Sequence, residues 1–192
     1  MKTILLSVAL CAVINTSLAQ NPIKKILSSD EKPENGMDPK KNIAANISSS
    51  NQATVFSRSI NTCGLLQTFS DPGPLTVFLP ADSAFNKLAP GKLDALLTPQ
   101  KKYDLIAIIT YHALPGKVSA KNIAKEISRG KGLAVFRTIS GAPLKARFDE
   151  SGNIVLIDET GGISLLQKSD LKQHNGLIHL VSAALMPKFK PF

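Results

Sequence analysis

An α+β domain, built on an antiparallel sheet or sandwich with its helices gathered in the first half, is what this sequence predicts, on three observations. Apolar residues recur at helical spacing between positions 53 and 129, and the period changes to two between 133 and 185. A β-branched and aromatic run, Thr76-Val77-Phe78-Leu79, interrupts the helical half and is bounded by prolines, as a buried strand would be. At 192 residues the chain suffices for one domain with a proper core.

The elements follow in order. Lys2, the apolar run Ile4 to Ile14 and the small-x-small site Ser17-Leu18-Ala19 read as a secretory signal peptide over residues 1–19. A lipoprotein signal would use Cys11, but Leu10 stands where a small residue is expected. Residues 20–37 form a flexible polar leader broken by Pro22, Pro33 and Gly36, and Asn46-Ile47-Ser48 is a glycosylation sequon, of consequence only in a eukaryotic host. A helix from Ala53 places Val55, Ile60 and Cys63 near one face and stops at Gly64. Leu65, Leu66 and Phe69 make a short apolar turn, and Asp71-Pro72-Gly73-Pro74 leads into the strand at Thr76.

After Pro80, Asp82 is placed to cap a helix whose apolar stripe is Phe85 and Leu88. Leu93, Leu96 and Leu97 mark a short amphipathic helix. Gln100 to Tyr111 is then a core helix with Tyr103, Ile106, Ala107 and Thr110 at helical spacing and Leu105, Ile108 and Ile109 widening its apolar face. Pro115-Gly116 forces a turn. Lys117, Lys121, Lys125 and Arg129 follow at steps of four, a basic edge if all four lie on one helix, with Ile123 and Ile127 facing the core. Strands are expected at Leu133 to Ile139, Leu144 to Phe148, Ile154 to Ile157, Ile163 to Leu166 and Leu177 to Leu185, the second and third joined by the hairpin turn Asp149-Glu150-Ser151-Gly152-Asn153. Residues 188–192 are a basic tail.

Lys and Arg total 23 against 14 acids, and the charge of +9 falls to +8 once Lys2 leaves with the signal. Such a surplus attracts anionic partners and also keeps a protein soluble. Removing Cys11 leaves Cys63 alone, which excludes an intramolecular disulfide and reads as a small buried hydrophobe. Nothing after the signal is apolar for long enough to span a bilayer. No G-x-S-x-G elbow or complete phosphate loop occurs, and His174 and His179, five apart, would leave a strand on opposite faces. Thr160 stands where the acidic twelfth ligand of a calcium loop beginning at Asp149 would be. No enzyme, cofactor or metal site is therefore expected. With two tyrosines and no tryptophan there is no stacking platform for nucleic acid.

Three blocks together carry a resemblance: TVFLPADSAFNKL at 76 to 88, ITYHALPGKV at 109 to 118 and NGLIHLVSAALMP at 175 to 187. In order and spacing they resemble the two boxes and the central Tyr-His segment of fasciclin-like domains, and Pro39-Lys40-Lys41-Asn42-Ile43 is similar to the lead-in helix of bacterial members. The resemblance covers residues 38–187, taken as the domain. It implies a wedge of two β-sheets, a sandwich, flanked by several α-helices, and a role in adhesion at cell surfaces and in extracellular matrix. A Tyr-His pair and an Asp-aliphatic pair proposed to contact integrins in animal relatives would correspond to Tyr111-His112 and Asp170-Leu171. The chain departs from the family's small residues after that second pair with Lys172-Gln173-His174.

For each candidate two readings stand side by side. Tyr111 and His112 fit a partner contact, or a brace at a helix-to-strand junction through internal hydrogen bonds. Asp170 fits a carboxylate offered to a partner's cation or metal, or a turn residue satisfying nearby N–H groups. Lys117, Lys121, Lys125 and Arg129 fit a polyanion site or a solvated face. The function expected is a secreted, extracellular or periplasmic, non-enzymatic module binding cell-surface or matrix protein or anionic polysaccharide. The alternative is a small-molecule or lipid carrier with a cleft between helices and sheets.

Overall fold

The structure, a computed structural model, describes residues 37–86 and 91–189. The expected signal peptide, nearly all of the leader, Leu88 and the last three residues of the basic tail lie outside the described residues.

The helical half contains α1 (Ile43–Ser49), α2 (Thr54–Cys63), α3 (Leu66–Ser70), α4 (Asp82–Phe85), α5 (Lys92–Leu96) and α6 (Lys102–Tyr111), with β1 (Leu75–Pro80) between α3 and α4. Then come β2 (Ala113–Pro115), α7 (Ala120–Arg129), β3 (Ala134–Arg137), β4 (Pro143–Phe148), β5 (Ile154–Ile157), β6 (Ile163–Gln173) and β7 (Gly176–Val181). The strands run β2-β1-β7-β6-β5-β4-β3 across a seven-stranded sheet. Its two halves meet in the long β6, where Ile163 to Leu165 pair with β5 and Leu166 to Gln173 pair with β7 across two register shifts. The fold is the expected α+β arrangement.

One pairing departs from an all-antiparallel reading. β1 and β7 lie parallel, from Leu75↔Gly176 to Pro80↔Val181. Parallel neighbours cannot be joined by a hairpin, so the strand predicted first and the strand predicted last come to the centre together while everything between them forms the crossover. Gly176 makes this approach feasible: a Cβ there would sit 1.9 Å from the Leu75 carbonyl oxygen.

Alternation along β1 divides the interior in two. Val77 and Leu79 point into a core formed with α1, α2, α3, α5 and α6, including Ile43, Phe56, Ile60, Phe69 and Ile109. Phe78 points the other way, into a core with Tyr111, Leu114, Ile123, Ile127, Leu144, Ala146, Leu156 and Val181, so the two halves of the sheet face each other with α7 closing the gap. Cys63 is a free thiol buried in the first core, with its pKa raised by burial.

Three local expectations are corrected. Asp82 does not cap α4, whose first turn has no side-chain cap. Its carboxylate accepts instead from the Thr54 N–H (3.1 Å), the Thr54 hydroxyl (2.7 Å) and the Val55 N–H (2.9 Å), so it caps α2 from 28 residues away. Tyr103 is 80 % exposed at the start of α6, whose buried residues, Leu105, Ile108, Ile109, Thr110 and Tyr111, all lie further along the helix. Asn46 of the sequon is 2 % exposed, and its amide donates to the Asp38 carbonyl and the Gln173 side chain, so it is no acceptor for a glycan in the folded chain.

Candidate functional site

Tyr111 and His112 end α6, and both are fully buried. The Tyr111 hydroxyl donates to the Pro143 carbonyl (2.9 Å) and accepts from the Glu159 N–H (3.1 Å), and burial raises its pKa. His112 Nδ1 donates to the Ile108 carbonyl (2.8 Å), one turn back, which leaves Nε2 to accept from the Leu185 N–H (2.9 Å). Burial pushes its pKa down to about 4, and its ring stands edge-on to Phe56 at 5.4 Å. The pair therefore presents no side chain to a partner. Its hydrogen bonds fasten α6 to β4, to the turn after β5 and to the segment after β7, the arrangement that the bracing reading describes.

Asp170 lies within β6, in the irregular stretch between Lys168 and Leu171, not in a free turn. Its φ of +61° is left-handed, and Asp is among the few non-glycine residues that tolerate this. The carboxylate accepts from the Ala120 N–H (3.0 Å) at the first position of α7, and its own N–H donates to His179 Nδ1 (3.1 Å). His179 Nε2 completes the chain by donating to the Val118 carbonyl (2.8 Å). His179 is buried, its pKa is lowered by burial, and its ring stacks on Phe78 at 5.5 Å. Leu171 is half-buried against the first core. Asp170 and His179 thus position the start of α7.

Sequence reasoning weighed His179 only as a metal ligand, not as an interior brace. The available signal was a histidine inside a strand whose neighbours on both sides are aliphatic, where its ring nitrogens must find partners inside the protein.

The basic edge divides at Ser119. Ser119 caps α7, with its hydroxyl accepting from the Asn122 N–H and the Asn122 side chain accepting from the Ser119 N–H. Lys117 therefore belongs to the extended lead-in, and the expectation that it shares the helix is corrected. Lys121, Lys125 and Arg129 are exposed at steps of four on α7, opposite Ile123 and Ile127. Arg129 pairs with Glu126 at 2.9 Å, a surface contact of small energetic weight. The candidates thus separate into an interior set, Tyr111, His112, Asp170 and His179, and a surface set of cations on and before α7.

Asp149 accepts from the Ser151 N–H (2.9 Å) and the Asn153 N–H (2.8 Å), as the hairpin turn requires, and these bonds, with the Asn153 side chain first, hold its pKa low. Among the described residues no three of His, Cys, Asp and Glu are grouped to hold a metal, and no helix is long and apolar enough to cross a membrane. An apolar cavity beside Met37, Ala53, Leu79 and Leu180 measures about 20 Å³, room for about one water. A larger hollow of about 370 Å³ is open and lined by Ser48, Thr54, Ser57, Arg58, Asn61 and Thr62.

Comparisons with known proteins bear on this arrangement. The family described as "Fasciclin domain" matches residues 51–187. Protein sll1483 of the cyanobacterium Synechocystis is 28 % identical over 130 residues, spanning 67 % of this chain and 64 % of that protein. Human stabilin-1 is 32 % identical over 151 residues, 78 % of this chain but 5 % of its own length. Immunogenic protein MPB70 of Mycobacterium bovis is 30 % identical over 60 % of this chain and 51 % of its own. Among solved structures, a FAS1 domain pair from the insect cell adhesion molecule fasciclin I superposes with a TM-score of 0.67 at 18 % identity, over 76 % of this chain and 51 % of that one.

Proposed function

Because this chain belongs to the fasciclin domain family, we propose that it is a secreted, non-enzymatic binding module that contacts cell-surface or matrix partners rich in anionic groups, sulfated or carboxylated polysaccharide above all. Its binding element is the solvent face of α7. The observation that carries this reading is the row Lys121, Lys125 and Arg129, exposed on a helix whose opposite face is fixed in the core and whose start is held by Ser119, Asn122 and Asp170. Lys117 extends the row from the lead-in. A rigid row of cations can follow a repeating polyanion without recognising a particular monomer. Asp170 acts on the site indirectly, through its bond to the first N–H of α7.

The neighbouring structure from a cell adhesion molecule agrees with this role at the level of fold. The carrier alternative finds little support in the two cavities, since one holds about a water and the other is polar and open.

The test is binding of the purified chain to immobilised sulfated polysaccharide and to whole cells at low and at physiological salt. Lys121→Gln with Lys125→Gln should lower affinity about tenfold or more and flatten the salt dependence, each screened cation contributing on the order of 1 kcal/mol. Unchanged binding by a folded double variant would refute the assignment to α7, and no binding to either material would refute the adhesive reading itself.

A further inference from the structure

A second surface, on the far side of the molecule from α7, belongs to neither core. Along β3 to β6 the inward residues, Ala134, Leu144, Ala146, Ile154 and Leu156, pack with α7. Their neighbours in sequence face outward, and the register lines them up: Val135 opposite Lys145, Lys145 opposite Ile157, Ile157 opposite Ile163. The adjoining row runs Arg147, Val155, Leu165, and Arg137 pairs with Pro143 on the other side. Neither core includes Val135, Ile157, Ile163 or Leu165; of these Val135 and Ile163 are exposed and Ile157 and Leu165 half-buried, while Val155 in the adjoining row is buried.

Val135 is 60 % exposed and Ile163 56 %, one at each end of the first row. The outward positions of these strands carry Arg137, Lys145 and Arg147 and no acid. Asp149 and Glu150 stand off at the hairpin tip, where Asp149 is engaged by its own turn.

We propose that this outer face of β3 to β6 docks on the surface of an anionic lipid bilayer. Side chains at these positions project to the same side of adjacent strands, so the two rows share one outer face about 14 Å wide across four strands, from the usual spacing of about 4.8 Å. On it, the exposed aliphatics Val135 and Ile163 stand at the two ends of one row with Lys145 between them, so apolar and cationic tips are interleaved. An anionic bilayer answers both: acyl chains receive Val135 and Ile163 while headgroup phosphates meet the exposed Arg137 and Lys145; Arg147 is half-buried and donates to the Phe148 carbonyl (3.0 Å). A bilayer surface also asks for no shape complementarity from the sheet face. A second copy of this chain is disfavoured, because it would set one cationic face against another. Polysaccharide would make no use of the aliphatic tips. The contact is peripheral and reversible, and it is independent of α7, which lies behind the sheet.

Flotation of the purified chain with phosphatidylcholine vesicles, with and without phosphatidylglycerol, tests it. Binding should require the anionic lipid and weaken with salt. Arg137→Gln with Lys145→Gln should weaken it about thirtyfold, two cations at about 1 kcal/mol each. Val135→Ser with Ile163→Ser should weaken it about tenfold per side chain at unchanged charge. Lys121→Gln with Lys125→Gln should leave it unaltered, which separates this proposal from the polyanion reading of α7. Four results would overturn it: equal binding to neutral vesicles, no binding to either kind, loss on changing α7 alone, or sedimentation showing a dimer that the Val135 and Ile163 changes dissociate.

Discussion

Lowering the pH should loosen this fold through His112 before its carboxylates are exhausted, and the size of the effect follows from the ring's surroundings. His112 is fully buried and neutral, and its pKa lies at about 4 in the fold against an ordinary 6.5. The unfolded chain therefore binds a proton through this pH range that the folded chain refuses. Stability from this group is complete above 6.5 and is lost as pH falls from there toward 4. A gap from 6.5 to about 4 corresponds to about 3 kcal/mol, at about 1.4 kcal/mol per pH unit. His179, shifted down for the same reason, adds in the same direction. That loss is large against a typical domain stability of about 5–15 kcal/mol. The assay is urea unfolding at several pH values between 7 and 4, with His112→Gln measured alongside. The wild type should lose stability steeply below 6.5, and the variant, whatever its stability at neutral pH, should show a shallower slope by about the His112 share. A histidine ring proton of residue 112 titrating near 6.5 in an NMR series would refute the reasoning, as would identical slopes for the two proteins.

Asp82→Ala should cost about 1–2 kcal/mol in chemical unfolding by uncapping α2, with faster hydrogen exchange at the Thr54 and Val55 amides rather than in α4. Gly176→Ala should cost about 3 kcal/mol or more, or prevent folding, because the added methyl meets the Leu75 carbonyl where β1 and β7 approach. Circular dichroism and urea midpoints decide it. Cys63 should react with a thiol reagent slowly in native protein and rapidly in urea, since burial shields the sulfur and raises its pKa.

What the sequence made legible was local. Helix spacing announced α2, α6 and α7, Gly64 stands in the left-handed conformation that ends α2, and the hairpin after Phe148 turns where Asp149 and Asn153 said it would. What escaped depends on distance along the chain. Nothing near Asp82 indicates that the N-terminus of α2 would come within reach and take its carboxylate. The β1 to β7 pairing joins residues about a hundred positions apart, and alternation within a strand specifies its faces but not its neighbour. Tyr103 shares its helical spacing with the buried Thr110, yet the core covers α6 only from Leu105 onward.

The candidate site was read with the same asymmetry. The three cations on α7 could be taken from their spacing, and Lys117 could not be separated from them until Ser119 was found to start the helix. Tyr111, His112 and Asp170 attract notice because they are polar residues in apolar surroundings. That same property describes a group whose partners lie inside, and a single chain does not tell the two apart until the partners are located. His179, weighed in the sequence only as a metal ligand, makes the point: its ring has as many internal hydrogen bonds as that of His112.

The parallel pairing of β1 with β7 also sets a schedule. A chain that emerges from its N-terminus, from a ribosome or through a narrow channel, offers β1 long before β7 exists to lie beside it. Until residue 181 has appeared, one side of β1 is an open edge. His112 Nε2, the Ser164 hydroxyl and Asp158 also wait for the amides of Leu185, Ala183 and Met186. The domain can close only when nearly its whole length is free, so a stalled or truncated product would display the apolar β1 edge to chaperones and proteases and would not persist as a partly working fragment.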